Sequence, residues 1–344
     1  MTDYDALLLL SFGGPEGPGD VIPFLENVTR GRGIPRERLA VVGQHYALFD
    51  GASPINGQNR ELLSALRQQL DAERIDLPLY WGNRNWHPML ADTVAEMTAA
   101  GHQRVLAIVT SAFGSYSGCR QYSEDLAGAV ESSVADITID KAPLYWNHPG
   151  FLTAAADHAS TALRKLGPAA GDARLVFTAH SIPAAWVNTA PYLDQLNAAA
   201  DFITHQAHAD LEANAPASHA WDLVFQSRSG PPEVPWLEPD INDHLRTLHA
   251  VGTESVVVIP LGFVSDHMEV VYDLDTEAAA TAAELGMTMV RAATAGTHPA
   301  FVAALADIVG HALADTRALV AVGEPWPHPC APNCCDRPQR PAAP

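Results

Sequence analysis

The sequence predicts an α/β protein of two similar domains, each a parallel sheet covered by helices on both faces. Two observations predict it. Short apolar runs alternate with amphipathic stretches of helix length along the chain, and this rhythm begins afresh after "WNHPG" at Trp146–Gly150. The length agrees: 344 residues are too many for one ordinary core and about right for two.

The expected strands are Ala6–Phe12, Leu77–Trp81, Arg104–Thr110, Arg174–Thr178, Asp222–Gln226, Ser255–Pro260 and Met287–Arg291. Each is a short apolar run, the pattern of a strand buried on both faces. Between them, the expected helices are Gln58–Asp71, Met89–Ala99, Gln121–Ser132, Phe151–Leu166, Tyr192–His205 and His298–Leu319. The domains therefore run 1–150 and 151–320. No repeat is visible in the residues themselves. A tail at 321–344 turns to "GEPWPHPCAPNCCDRPQRPAAP", irregular backbone that needs something to hold it down.

Composition narrows the function. A hydrophobic content of 47% is globular, and 40 acidic against 20 basic residues give a net charge of −20. Such a charge argues against nucleic acid or an anionic membrane as partner and is compatible with handling cations. The run Ala6–Phe12 is too short to span a bilayer and lacks the flanks of a targeting sequence. The expectation is a soluble, cytoplasmic protein with no membrane span. In that reducing setting four cysteines favour metal binding over disulfides.

Ligands of open parallel sheets bind beyond the carboxyl ends of the strands, so the strand-to-loop junctions are the places to search. "SFGGPEGPGD" follows the first strand, but its glycines do not make a dinucleotide fingerprint and no phosphate-binding lysine follows. A tight turn is the better reading. "NVTRGRGIP" sets Arg30 and Arg32 around Gly31; arginine forks suit carboxylates, although a solvated helix end is the usual role. Ser53, in "GASPINGQNR", stands where a helix N-cap is the default. "YWGNRNWHP" crowds two tryptophans, an arginine and a histidine into one loop, as a flat aromatic ligand or a domain seam would require.

"SAFGSYSGCRQY" places Cys119 and Tyr122 among small residues after the third strand. "FTAHSIP" ends the fourth strand at His180. A lone histidine there is as often structural as functional. "QSRSGPPEVPWLEP" is a long polar connection of the kind kept for binding. In "PLGFVSDHMEVVYDLDTE", Glu269, Asp273 and Glu277 recur every four residues behind His267, so a helix would align three carboxylates on one face. Such a stripe weakens a helix unless a cation or shared protons occupy it. Finally, Cys119, Cys330, Cys334 and Cys335 make four thiols, enough for a [2Fe–2S] cluster or a tetrahedral zinc; adjacent cysteines suit the two irons better than one zinc.

Taken in order, "SFGGP", "NVTRGRG", "SPINGQNR", "GNRNWHP", "TAHSIP", "QSRSGPPEVPWLEP" and "PLGFVSDHMEVVYDLD" resemble the ferrochelatase family over essentially the whole chain. The resemblance implies two Rossmann-like domains with parallel sheets and an interdomain cleft for a porphyrin, and a lyase that inserts ferrous iron there in haem biosynthesis. It implies His180 and Glu269 as catalytic and metal-site pair, with His267, Asp273 and Glu277 as an acidic relay. It implies that Ser53, Tyr122 and Phe12 line the porphyrin and that Arg30 holds a propionate. Many relatives carry a tyrosine where this chain has Phe12, so the iron ligand on that side is absent or comes from elsewhere, Tyr122 being one candidate. The four cysteines match members that carry a [2Fe–2S] cluster. The lack of a membrane-embedding extension resembles the branch that metallates coproporphyrin III.

The expected chemistry is the loss of two pyrrole protons as Fe²⁺ enters, with the imidazole and the acids facing each other across the gap between domains. Iron donors and other haem-pathway enzymes are the expected partners. The rivals are a chelatase for another metal and tetrapyrrole, and a carrier that binds without turnover.

Overall fold

The computed structural model describes residues 3–31, 33–133, 136–209, 219–314 and 320–337. Arg32, the end of the helix expected to reach Leu319, and 338–344 of the tail lie outside the described residues.

The first half builds a four-stranded sheet from β1 (Ala6–Ser11), β2 (Leu79–Asn83), β3 (Arg104–Val109) and β4 (Thr138–Lys141), in the order β2-β1-β3-β4. The second builds its own from β5 (Arg174–His180), β6 (Trp221–Gln226), β7 (Ser255–Ile259) and β8 (Thr288–Arg291), in the order β6-β5-β7-β8. All pairings are parallel, and the two orders are the same. All six residues of β1 and all five of β7 are buried, which is why central strands read as unbroken apolar runs. Every expected strand forms. The unexpected one is β4, whose "TIDK" offers a single apolar residue because it lies at a sheet edge and is only half covered.

The helices are α1 (Val21–Val28), α2 (Arg36–Ala47), α3 (Ile55–Ala72), α4 (Leu90–Ala99), α5 (Gln121–Glu131), α6 (Pro149–Leu166), α7 (Tyr192–Ala209), α8 (Ile241–Ala250), α9 (Met268–Tyr272), α10 (Ala279–Glu284) and α11 (Pro299–Leu313). A wider π-turn, Asp273–Ala278, joins α9 to α10 without a break.

The largest apolar core does not stop at the boundary between halves. It runs from Leu62, Leu66 and Leu70 of α3 through α6 to Phe301, Leu305 and Ile308 of α11. A Cβ on Gly150 would lie 2.2 Å from the Ala300 carbonyl oxygen, so glycine is what lets α6 and α11 touch. Their starts mirror one another. His148 accepts from the Gly150 amide and faces Asp307 of α11 at 3.3 Å; His298 accepts from the Ala300 amide and faces Asp157 of α6 at 3.2 Å. "NHPGF" and "THPAF" are thus one local device used twice.

Candidate active site and cysteine cluster

With strand orders of this kind, the chain turns in opposite directions from β5 and from β7, which opens a crevice at their carboxyl ends. His180 is the last residue of β5. The loop after β7 returns as α9, which His267 caps by accepting from the Glu269 amide at 3.2 Å. His180 Nε2 and Glu269 Oε2 therefore stand 3.6 Å apart, with His267 Nδ1 3.9 Å from the same carboxylate oxygen. The expected opposition across the interdomain gap does not occur: the histidine and the acids belong to one half and lie side by side, because β5 and β7 are neighbours.

The electrostatics follow from crowding. His180 and Glu269 keep 32% and 48% of their side-chain surface open, yet protein surrounds them otherwise. Burial pushes Glu269 up, but the two imidazoles outweigh it and bring the carboxyl down to about 2. For His180 burial pulls down, and Glu269 with the Ser181 carbonyl reverses this, so its pKa is raised. His180 Nδ1 is bonded to the Ser181 carbonyl, which leaves Nε2 of the neutral ring as the basic atom facing Glu269. Burial dominates at His267 and lowers its pKa.

Asp273 behaves in the opposite way. Burial drives it up to about 7; the Ser227 hydroxyl opposes this, and Glu269 and Glu277 add to it. Ser227 and Gln226 both donate to its Oδ2, and Gln226 Nε2 also donates to the Glu269 carbonyl oxygen at 2.7 Å. The sequence reading places Gln226 and Ser227 at the start of the binding connection "QSRSGPPEVPWLEP", with no role of their own. Ser227 has φ 61°, a left-handed conformation rare outside glycine, which places its hydroxyl against the carboxylate.

The first half closes over this region through Tyr46 and α2. The His45 and Tyr272 rings stack at 3.9 Å, the Asp266 amide donates to Gln58 Oε1 at 2.8 Å, and Met268 packs with Phe24, Leu39 and Tyr46. Burial and the Glu269 charge both raise the Tyr46 phenol. No motif had singled it out. Phe12 meets the edge of Phe24 at 6.3 Å and stays 37% exposed.

The other expected contacts separate. Arg30 lines a hollow of about 230 Å³ with Asn27, Val28, Arg84, Asn85, Gln121 and Asp125. The hollow adjoins Phe12, whose carbonyl accepts from the Asn85 side chain, rather than His180. Tyr122 is only 4% exposed, in the core of the first sheet, with the Arg84 guanidinium 4.4 Å above its ring. Its neighbours Arg84, Gln121 and Asp125 line the hollow, and Tyr122 itself does not. Ser53 is buried against Gly14, and α3 begins at Ile55 behind Pro54 without a side-chain cap, so the N-cap reading is replaced by close packing.

The cysteines converge. The described tail lies over the π-turn Tyr116–Arg120, and Cys119 packs with Leu144, Ala190 and Cys335. Cys119 and Cys335 pack together, Cys334 and Cys335 sulfurs lie 3.6 Å apart, and Cys330 neighbours Cys334. Lys141 Nζ stands 3.2 Å from Cys119 Sγ. Contact with the Cys335 thiol, then Lys141 and Arg120, outweighs the burial that raises the Cys119 thiol and brings it down to about 6, whereas contact with Cys119, and next burial, raises Cys335. Cys335 has φ 59°, and its amide donates to the Thr189 carbonyl at 2.8 Å. Arg120 binds the Pro332 carbonyl and Asp336. Among the described residues no three His, Cys, Asp or Glu are closed into a metal cage. The thiols are gathered pairwise. An all-sulfur donor set is chemistry that a two-iron cluster takes.

The fold is that of chelatase-like proteins. SirB from Bacillus subtilis, solved with Fe³⁺, superimposes with a TM-score of 0.53 at 11% identity, over 91% of this chain and 97% of that one. DR2241 from Deinococcus radiodurans, described as similar to chelatases, gives 0.50 at 15% over 91% of this chain, which spans 56% of that multidomain protein. These likenesses speak for the fold alone.

The family model for ferrochelatase matches residues 4–313, and the chain belongs to that family. It is 51% identical to the coproporphyrin III ferrochelatase of Streptomyces coelicolor, over 99% of this chain and 96% of the relative. It is 48% identical to a ferrochelatase of Rhodopirellula baltica, over 97% and 94%. Among the described residues no helix is long and apolar enough to cross a membrane.

Proposed function

We propose that this chain inserts Fe²⁺ into coproporphyrin III in haem biosynthesis, with His180 and Glu269 as the pair that meets both pyrrole protons and metal. The observation that carries this reading is the 3.6 Å approach of a basic Nε2 to a carboxylate held ionised at the mouth of the second sheet. The substrate comes from the relatives, which are named for coproporphyrin III at 51% and 50% identity over nearly the full chain.

In this mechanism Arg30, beside Phe12, holds a peripheral carboxylate, and aromatic contacts offset the strain of a puckered ring. Phe12 offers the metal no oxygen. His180 Nε2 accepts a pyrrole proton and Glu269 stabilises the imidazolium. Asp273, with a pKa of about 7, takes protons onward towards Glu277 at the end of the same helical face. The second proton follows by the same route, so Fe²⁺ and the free porphyrin give the metalloporphyrin and two protons. Fe²⁺ exchanges hydration water for Glu269 and then for the ring nitrogens.

The carboxylate stripe is tolerated because Asp273 is half-protonated near neutrality and bonded to Ser227. We also propose that Cys119, Cys330, Cys334 and Cys335 hold a [2Fe–2S] cluster, which would cross-link the tail to the first half. The domains divide at 1–150 and 151–320, and the four free thiols suit a reducing, cytoplasmic site. Initial rates on coproporphyrin III and protoporphyrin IX test the reading. Faster metallation of coproporphyrin III supports it; stoichiometric porphyrin binding without turnover makes the chain a carrier.

A further inference from the structure

The sequence contains two lysines, Lys141 and Lys165, among 344 residues. Lys141 is the last residue of the edge strand β4, half-buried, and its ammonium donates to Cys119 Sγ at 3.2 Å. Successive residues of a strand point to opposite faces, so its neighbour Asp140 turns away and is taken by Tyr4 and Arg104. An ammonium loses strong hydration when it is partly buried, and it recovers that loss only against an acceptor rich in negative charge. A neutral thiol is a weak acceptor; a thiolate, free or ligated to iron, is a much better one. A chain with so few lysines nevertheless spends one on a sulfur.

We propose that Lys141 is a positioning residue for the cysteine cluster: its ammonium remains bonded to Cys119 Sγ when that sulfur ligates iron, and so makes the bound cluster easier to reduce. This rests on the [2Fe–2S] reading above. The physical ground is that hydrogen bonds and positive charge at a ligating sulfur favour the more negative, reduced state. Reduction here means one electron added to the cluster by an external titrant, with no bond made or broken. Arg120 also bears on the Cys119 charge, but its guanidinium bonds Glu124, the Pro332 carbonyl and Asp336 and so pins the tail. Lys141 donates a hydrogen bond to the sulfur itself, whereas Arg120 bonds the groups around it.

The test uses the full chain with Lys141→Met and Lys141→Arg, each purified anaerobically. Iron and sulfide per chain are measured, the dithionite-reduced cluster is examined by electron paramagnetic resonance, and the midpoint potential is titrated. Lys141→Met is expected to keep its cluster but to be reduced about tenfold less favourably, a fall of about 59 mV for a one-electron couple. Its resonance should shift, and Lys141→Arg should recover most of both changes. Equal potentials and identical resonances in wild type and Lys141→Met overturn the role of Lys141. So does a cluster lost from both variants while the wild type keeps it, which would make the residue structural. Iron-free, colourless wild-type protein would instead overturn the cluster reading itself.

Discussion

Ser227, held at φ 61°, donates its hydroxyl to the carboxylate of Asp273 and opposes the burial that drives that acid up to about 7. A left-handed serine is costly for a non-glycine residue, and it is kept where it tempers one buried charge. Ser227→Ala should therefore move the Asp273 titration above 7 and carry the alkaline side of the proton-transfer step with it. Infrared spectroscopy of the apo-protein, with Asp273→Asn to identify the band, reads the shift. An unchanged titration would show that the hydroxyl does not govern Asp273.

The same acid gives stability a pH dependence of known sign. Its folded value of about 7 lies above the ordinary 3.8, so between these the folded chain keeps a proton that the unfolded chain has lost. Stability must then fall as pH rises through that window, and Asp273→Asn should flatten the fall. Urea unfolding of the apo-protein at pH 5 and pH 8 measures it.

His180→Ala and Glu269→Ala should each slow iron insertion by about 10²-fold or more, the usual weight of a placed acid or base, while porphyrin binding persists. Stopped-flow absorption for insertion and fluorescence quenching for binding separate the two. Near-normal rates in both variants would remove the pair from the mechanism.

Asp222 receives both nitrogens of the Arg174 fork, at 2.6 and 2.7 Å, and His244 Nε2 lies 2.9 Å away. Burial raises Asp222, but these bonds outweigh it and hold the carboxyl below its usual range. Its contribution is complete above about pH 4 and disappears as pH falls through the folded value. Asp222→Asn should cost roughly 1–3 kcal/mol at pH 7 and much less in acid, read from the urea midpoint.

Gly150→Ala puts a methyl where α6 meets the Ala300 carbonyl at 2.2 Å. The helices must part, at a cost of about 1–3 kcal/mol or more. Because α11 also packs on α3 of the first half, the melting temperature of the whole chain should drop in one transition. A separate early melting step would show that the halves unfold independently.

The apolar rhythm located β1 and β7, which exclude water on both sides and read as unbroken apolar runs, and also the edge strand β8, whose "TMVR" keeps two apolar residues. It failed at β4, where an edge position allows "TIDK". The four-residue carboxylate spacing was legible because it is close to one α-helical turn, but the π-turn at Asp273–Ala278 within it was not. The sequence marked the connection that begins at Gln226 and Ser227 but not their bonds to Glu269 and Asp273, and it gave no sign of Tyr46, because these contacts join distant stretches of chain.

By itself the sequence determined the α/β class, the two-part rhythm, the helical acid stripe and the four thiols, since these depend on local periodicity and residue chemistry. Only the tertiary structure decided that His180 lies beside Glu269 instead of opposite it, that Tyr122 is buried under Arg84, and that Cys119 meets the tail next to Lys141. Strand order and helix packing set those neighbours, and neither is written in any short window of residues.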